Sequence, residues 1–142
     1  MGRFLRAGIC TTAALLAVPS LALAAPHYEG HIVGEPSSEV SFEIVRKKHK
    51  KVVVFSARKL VTACPNGPER VSFDGLRFRL RNGGFGGSNP VPAGDPRPSA
   101  HAELDGDLGR RGRASGTVQV VERFDFFAAC DTGELRWTAR AR

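Results

Sequence analysis

Residues 76–81, with the sequence Leu-Arg-Phe-Arg-Leu-Arg, alternate strictly between apolar and cationic side chains. Successive side chains of a β-strand point to opposite faces of the sheet, so this period of two predicts a strand with one buried and one solvated face. The same alternation recurs around Phe42, Leu104 and Trp137. No stretch of ten or more residues shows a convincing 3.6-residue period that would indicate a helix. The sequence therefore predicts an all-β domain.

Turn residues separate these runs at short intervals. Clusters of Gly, Pro, Asn, Asp and Ser lie at residues 35–38, 64–68, 82–84 and 131–133. Residues 86–98 hold Gly, Pro, Ser and Asn without periodicity and are expected to form a long loop. Short strands with frequent turns are typical of an antiparallel sandwich or small barrel, and we expect about seven to nine strands.

The first 24 residues have the three parts of a secretory signal peptide. Arg3 and Arg6 supply positive charge, residues 9–23 are uncharged and largely apolar, and residues 22–24 match the small-x-small cleavage pattern. The apolar run is shorter than the ~20 residues that span a bilayer, which disfavours a retained anchor. We expect a secreted or extracytoplasmic protein with no transmembrane segment after cleavage. Its mature part, residues 25–142, suits a single domain.

The positions of the cysteines predict one disulfide. Cleavage would remove Cys10 and leave Cys64 and Cys130, which an exported protein is expected to join. No Cys-x-x-Cys motif indicates a redox role, and two isolated cysteines supply at most half of a zinc site. We therefore predict a Cys64–Cys130 disulfide, no metal site and no cofactor.

The chain is basic, and its cations are clustered. It holds 21 Lys and Arg against 14 Asp and Glu, and loss of Arg3 and Arg6 lowers the formal net charge from +7 to +5. Candidate anion-binding residues are Lys47, Lys48, Lys50 and Lys51 in a hairpin tip, and Arg77, Arg79 and Arg81 on one strand face, with Arg110, Arg111 and Arg113 as a third cluster. If the clusters converge, their charges and guanidinium forks suit phosphate, sulfate or carboxylate. If they scatter, they provide solubility and protect strand edges. The sequence leaves both arrangements open.

Side chains with acid–base chemistry are few. His101, Glu103 and Asp105 alternate along one predicted strand face, where the simplest interpretation is a solvated surface. The nucleophile motif Gly-x-Ser-x-Gly and the metal motif His-Glu-x-x-His are absent from the sequence. His27 and His31 would lie roughly 13 Å apart along a strand, too far to chelate one ion. We predict no catalytic residue.

The C-terminal segment 130–142, CDTGELRWTARAR, resembles the C-terminal signature of small secreted proteins found in GC-rich actinobacteria. Further motifs similar to that group are Tyr28-Glu29-Gly30, Val40-Ser41-Phe42, Gly84-Phe85 and Ser115-Gly116-Thr117. The resemblance spans almost the whole mature chain and implies secretion, an all-β structure and the disulfide. The group has no assigned activity, so the resemblance implies no functional residue.

The leading functional hypothesis is an exported, non-enzymatic domain that binds an anionic cell-envelope polymer or another protein. Nucleic acid is not an expected partner, because export removes the usual target and no aromatic residues interleave with the charges. Two alternatives belong to other classes. One is a small secreted hydrolase that uses His101, Glu103 and Asp105, and the other is a secreted protease inhibitor that presents the 86–98 loop.

Overall fold

The computed structural model describes residues 25–92, 99–124 and 128–142. The predicted signal peptide at 1–24 and residues 93–98 of the predicted loop lie outside these ranges. Nine strands and one short 3₁₀ helix, Arg110–Gly112, make up nearly all of the described chain. The strands are β1 (His27–Ile32), β2 (Glu35–Lys47), β3 (Lys50–Cys64), β4 (Gly67–Arg79), β5 (Gly84–Val91), β6 (Ser99–Leu108), β7 (Arg113–Phe124), β8 (Ala128–Asp131) and β9 (Leu135–Ala141). The predicted all-β fold is confirmed.

The strands form a closed antiparallel barrel. Their order is β4-β3-β2-β1-β9-β7-β6-β5, and β8 pairs with both β3 and β7. Six strands, β3, β2, β1, β9, β7 and β8, therefore complete the ring, and β4, β5 and β6 extend the sheet beyond it. The ring closes between β3 and β8 through the residue pair Ala63–Asp131. The predicted Cys64–Cys130 disulfide is present beside this pair.

Aromatic side chains form a cluster within the hydrophobic core. The Phe42 ring lies 4.4 Å from Tyr28 and 5.3 Å from Phe85, measured between ring centroids. The Phe55 ring lies 5.4 Å from Trp137. These five residues come from β2, β1, β5, β3 and β9, so one packed cluster joins four strands of the ring to β5. Such ring pairs add to the stabilisation from apolar burial.

Gly106 on β6 allows the sheet to approach this cluster closely. A Cβ atom at Gly106 would lie 2.6 Å from Cζ of Phe85 and 2.8 Å from Cζ2 of Trp137. Real Cβ atoms essentially never come so close to another heavy atom, so the two rings occupy the space that a side chain would need.

The prediction of a loop at 86–98 is wrong for residues 86–91, because these residues belong to β5. This strand pairs with β6 along its whole length, from Gly84 opposite Asp107 to Val91 opposite Ala100. A two-residue turn at 82–83 precedes it, with positive φ angles of 49° and 86° that match a type I′ hairpin. Backbone hydrogen bonds to β6 hold this segment as a strand although its glycines provide no alternating side-chain pattern.

Candidate anion-binding site

Four parts of the chain that are distant in sequence lie at one end of the barrel. Adjacent strands are antiparallel, so the β2–β3, β4–β5 and β6–β7 connections lie at the same end as the last residues of β9. Hydrogen bonds tie neighbouring segments together. The Leu80 amide donates to the Lys51 carbonyl at 3.0 Å, and the Leu108 amide donates to the Gly83 carbonyl at 2.8 Å.

We call this end the basic rim. It consists of residues 46–51, 79–81, 110–113 and 140–142. These segments contain twelve Lys and Arg residues and no Asp or Glu. The other connections that are fully described, 33–34, 65–66 and 132–134, contain one acidic residue, Glu134, and no Lys or Arg. The fold therefore brings the three basic clusters of the sequence together at one end of the barrel, where Glu29 of β1, in register with Arg140, also lies.

The first two clusters lie on neighbouring strands. Arg79 of β4 is in register with Val52 of β3, and Lys50 follows two residues nearer the tip on the same outer face. Arg77, in register with Val54, lies two residues below the rim. Six of the seven residues predicted as an anion site are therefore in the rim, and Arg77 adjoins it on the outer surface of β4.

All seven predicted side chains are exposed. None of them forms an ion pair or side-chain hydrogen bond with another residue of the described ranges. Asp105 lines a shallow cleft together with Arg79 and Arg81, without reaching ion-pair distance. Two like charges about 4 Å apart repel by roughly 1 kcal/mol in water, so a crowded set of cations favours a bound anion.

Arg140 and Arg142 belong to this surface but were not predicted as members of it from the sequence. The alternation of β9 places Arg140 on the outer face but does not say which strands lie beside it. The register supplies that information, because Arg140 pairs with Arg113 of β7 on one side and with Glu29 of β1 on the other. Arg142 donates through Nε to Oε2 of Glu29 at 2.8 Å.

The residues considered for hydrolysis lie on the outer face of β6. His101, Glu103 and Asp105 are all exposed, as the alternation predicted. Their Cα atoms follow one another at about 6.6 Å, the spacing of alternate residues in a strand. None of the three hydrogen-bonds to another side chain within the described ranges. The same part of the chain contains no group of three or more His, Cys, Asp or Glu residues arranged to hold a metal ion.

Comparisons with protein-family models, with curated proteins and with solved structures each return no match. The resemblance to secreted actinobacterial proteins therefore stays a prediction. Among the residues that the structure describes, no helix is long and apolar enough to cross a membrane.

Proposed function

We propose that the protein is an exported, non-enzymatic domain that binds an anionic polymer through the basic rim. The observation that carries the proposal is the concentration of twelve cations in four segments at one end of the barrel, of which Arg142 is paired with Glu29. Such a surface creates a positive potential that attracts polyanions and releases their counterions on binding. The Cys64–Cys130 disulfide and the predicted signal peptide both support export.

The surface favours a polymer over a folded protein partner. Val33, at 47% exposure, is the one large hydrophobic side chain that stands exposed in the described part of the chain. Stable protein interfaces usually contain buried apolar or aromatic anchors, which this surface lacks over the described ranges. A polyanion needs no such anchor, because its affinity comes from charge.

The test uses protein expressed from the full-length sequence, exported and purified, with inorganic polyphosphate and isolated cell envelope as probes. Binding is measured across salt concentrations from about 50 to about 500 mM. The rim variant is K48Q/R79Q/R81Q. The matched control is K59Q/R123Q/R136Q, which removes the same number of exposed cations from outside the rim.

We expect the rim variant to bind polyphosphate at least tenfold more weakly at low salt and with a shallower salt dependence, because fewer counterions are released. The control variant should bind within about twofold of wild type. Equal losses in both variants would mean that net charge alone matters and would reject a localised site. Failure of the wild-type protein to bind either probe would reject the proposed function.

A further inference from the structure

A cleft of about 640 Å³ lies on the outer surface where β7, β9 and β1 meet the basic rim. Two rows of side chains line it. Arg113 of β7 pairs in register with Arg140 of β9. In the next row, Thr138 of β9 lies between Ser115 of β7 and His31 of β1. Polar donors thus line both levels of the cleft, and the carboxylate of Glu29, in register with Arg140, lies on the β1 side of the upper row.

The pairing of Arg113 with Arg140 is electrostatically unfavourable in the absence of a ligand. Directly opposed residues of antiparallel strands have Cβ atoms about 4.5–5.5 Å apart, and like charges at this spacing destabilise the pair. The adjacent carboxylate of Glu29 is already engaged, since Oε2 contacts Arg142 at 2.8 Å and Oε1 lies 3.5 Å from His27. Neither Arg113 nor Arg140 forms an ion pair within the ranges that the structure describes.

The donors of the cleft match a tetrahedral oxyanion better than a planar one. A carboxylate is satisfied by one guanidinium fork, whereas a phosphoryl group has additional oxygens that accept from several directions. Two guanidinium groups provide donors at one level, and the hydroxyl groups of Ser115 and Thr138 provide donors at the next. The volume is within the range of about 300–1,000 Å³ that is usual for ligand sites, so it holds more than a bare phosphate ion.

From this geometry we propose that the cleft is a specific site for one phosphorylated unit of the polymer, held by Arg113 and Arg140. The inference rests on the proposed function and deepens it, because it divides the rim into one site of defined chemistry and a wider field of cations. The hydroxyl groups of Ser115 and Thr138 complete the site by donating to the remaining phosphoryl oxygens.

The experiment measures binding of glycerol 3-phosphate to protein exported from the full-length sequence, by calorimetry or phosphorus NMR. Glycerol and acetate serve as probes that lack a phosphoryl group. The test variant R113K/R140K keeps the charge of the rim but removes both guanidinium forks. The matched control R110K/R111K makes the same change at two neighbouring rim positions that do not line the cleft.

We expect one equivalent of glycerol 3-phosphate to bind saturably, with no saturable binding of glycerol and weaker binding of acetate. R113K/R140K should weaken this binding about tenfold or more, because loss of bidentate contacts is not compensated by charge. R110K/R111K should stay within about twofold of wild type. The double variant S115A/T138V should weaken binding by a few-fold and serves as the second test if R113K/R140K does not fold.

The experiments distinguish failure of the cleft proposal from failure of the proposed function of the rim. If wild type and R113K/R140K bind glycerol 3-phosphate equally, the cleft proposal is overturned. The proposed function then stands or fails on polyphosphate binding by K48Q/R79Q/R81Q, a variant that leaves Arg113 and Arg140 unchanged. Absence of saturable glycerol 3-phosphate binding by the wild type, with polyphosphate still bound, also overturns the cleft proposal alone.

Discussion

Removing the disulfide should open the barrel where β3 meets β8. In the variant C64A/C130A this junction keeps the pair Ala63–Asp131 but loses its covalent link. The two cysteines lie 66 residues apart. A loop of that length corresponds to about 4 kcal/mol of unfolding free energy on the chain-entropy model. Domains of this size are stable by only about 5–15 kcal/mol, so we expect a marginally stable barrel.

Urea unfolding followed by tryptophan fluorescence measures this change directly. The chain contains one tryptophan, and Trp137 is buried at 1% exposure within the aromatic core. We expect a free energy of unfolding about 4 kcal/mol lower than that of wild type, which corresponds to roughly a thousandfold larger unfolded fraction. The wild-type protein in the presence of reductant should show the same loss, and the variant should be insensitive to reductant.

Amide hydrogen exchange shows which part of the barrel is destabilised when the disulfide is removed. The amide of Ala63, at the β3–β8 junction, should lose protection more than the amide of Thr132, which donates to the Val120 carbonyl of β7 at 3.0 Å. A loss of less than about 1 kcal/mol, or unchanged exchange at Ala63, would refute the reasoning. Either result would mean that the packed core alone keeps β8 against β3.

Two further changes test the core and the rim. Gly106→Ala should lower the free energy of unfolding by about 1–3 kcal/mol, because its Cβ overlaps the Phe85 and Trp137 rings, and a thermal midpoint equal to wild type would contradict this. Neutralising unpaired rim cations in K48Q/R79Q/R81Q should raise stability at low salt by roughly 0.5 kcal/mol, since repulsion is relieved. Urea unfolding at low and high salt checks this, and a gain that persists at high salt would argue against an electrostatic cause.

The fold class was predictable because most strands have one buried and one exposed face. In β4 the inward Leu76 and Phe78 alternate with the outward Arg77 and Arg79, so the local pattern is sufficient. The choice between a sandwich and a barrel was not predictable in this way. It depends on β8 pairing with both β3 and β7, and the alternation within a strand carries no information about such non-local pairing.

β5 shows a second limit of local patterns. Its sequence, Gly84–Val91, is rich in glycine and contains a proline, which predicted a loop. The strand is held by register with β6 and by burial of Phe85 and Val91 at its two ends. Where glycines supply no alternating pattern, pairing with a neighbouring strand determines the structure. The sequence of the glycine-rich segment does not identify that neighbouring strand.

The candidate site was predictable only in part for the same reason. Sequence proximity identified the lysine tip and the arginines of β4 as separate clusters and left their convergence open. Arg113 and Arg140 are 27 positions apart, and only the β7–β9 register makes them neighbours. The site thus combines a local signal, which is visible as a run of charges, with a non-local one that depends on the closed sheet.

The concentration of cations at the rim is difficult to explain by solubility alone. A surface selected only for solubility would intersperse both signs, because mixed charges avoid local repulsion. Here four segments that are distant in sequence bring twelve cations to one rim, and Glu29 of β1 forms an ion pair with one of them, Arg142. Repulsion within the rim lowers stability, and an anionic ligand removes that cost when it binds. If the rim is a binding surface, neutralising its cations should raise the stability of the barrel and weaken polymer binding at the same time. An incidental cluster of charges would show the gain in stability without the loss of binding.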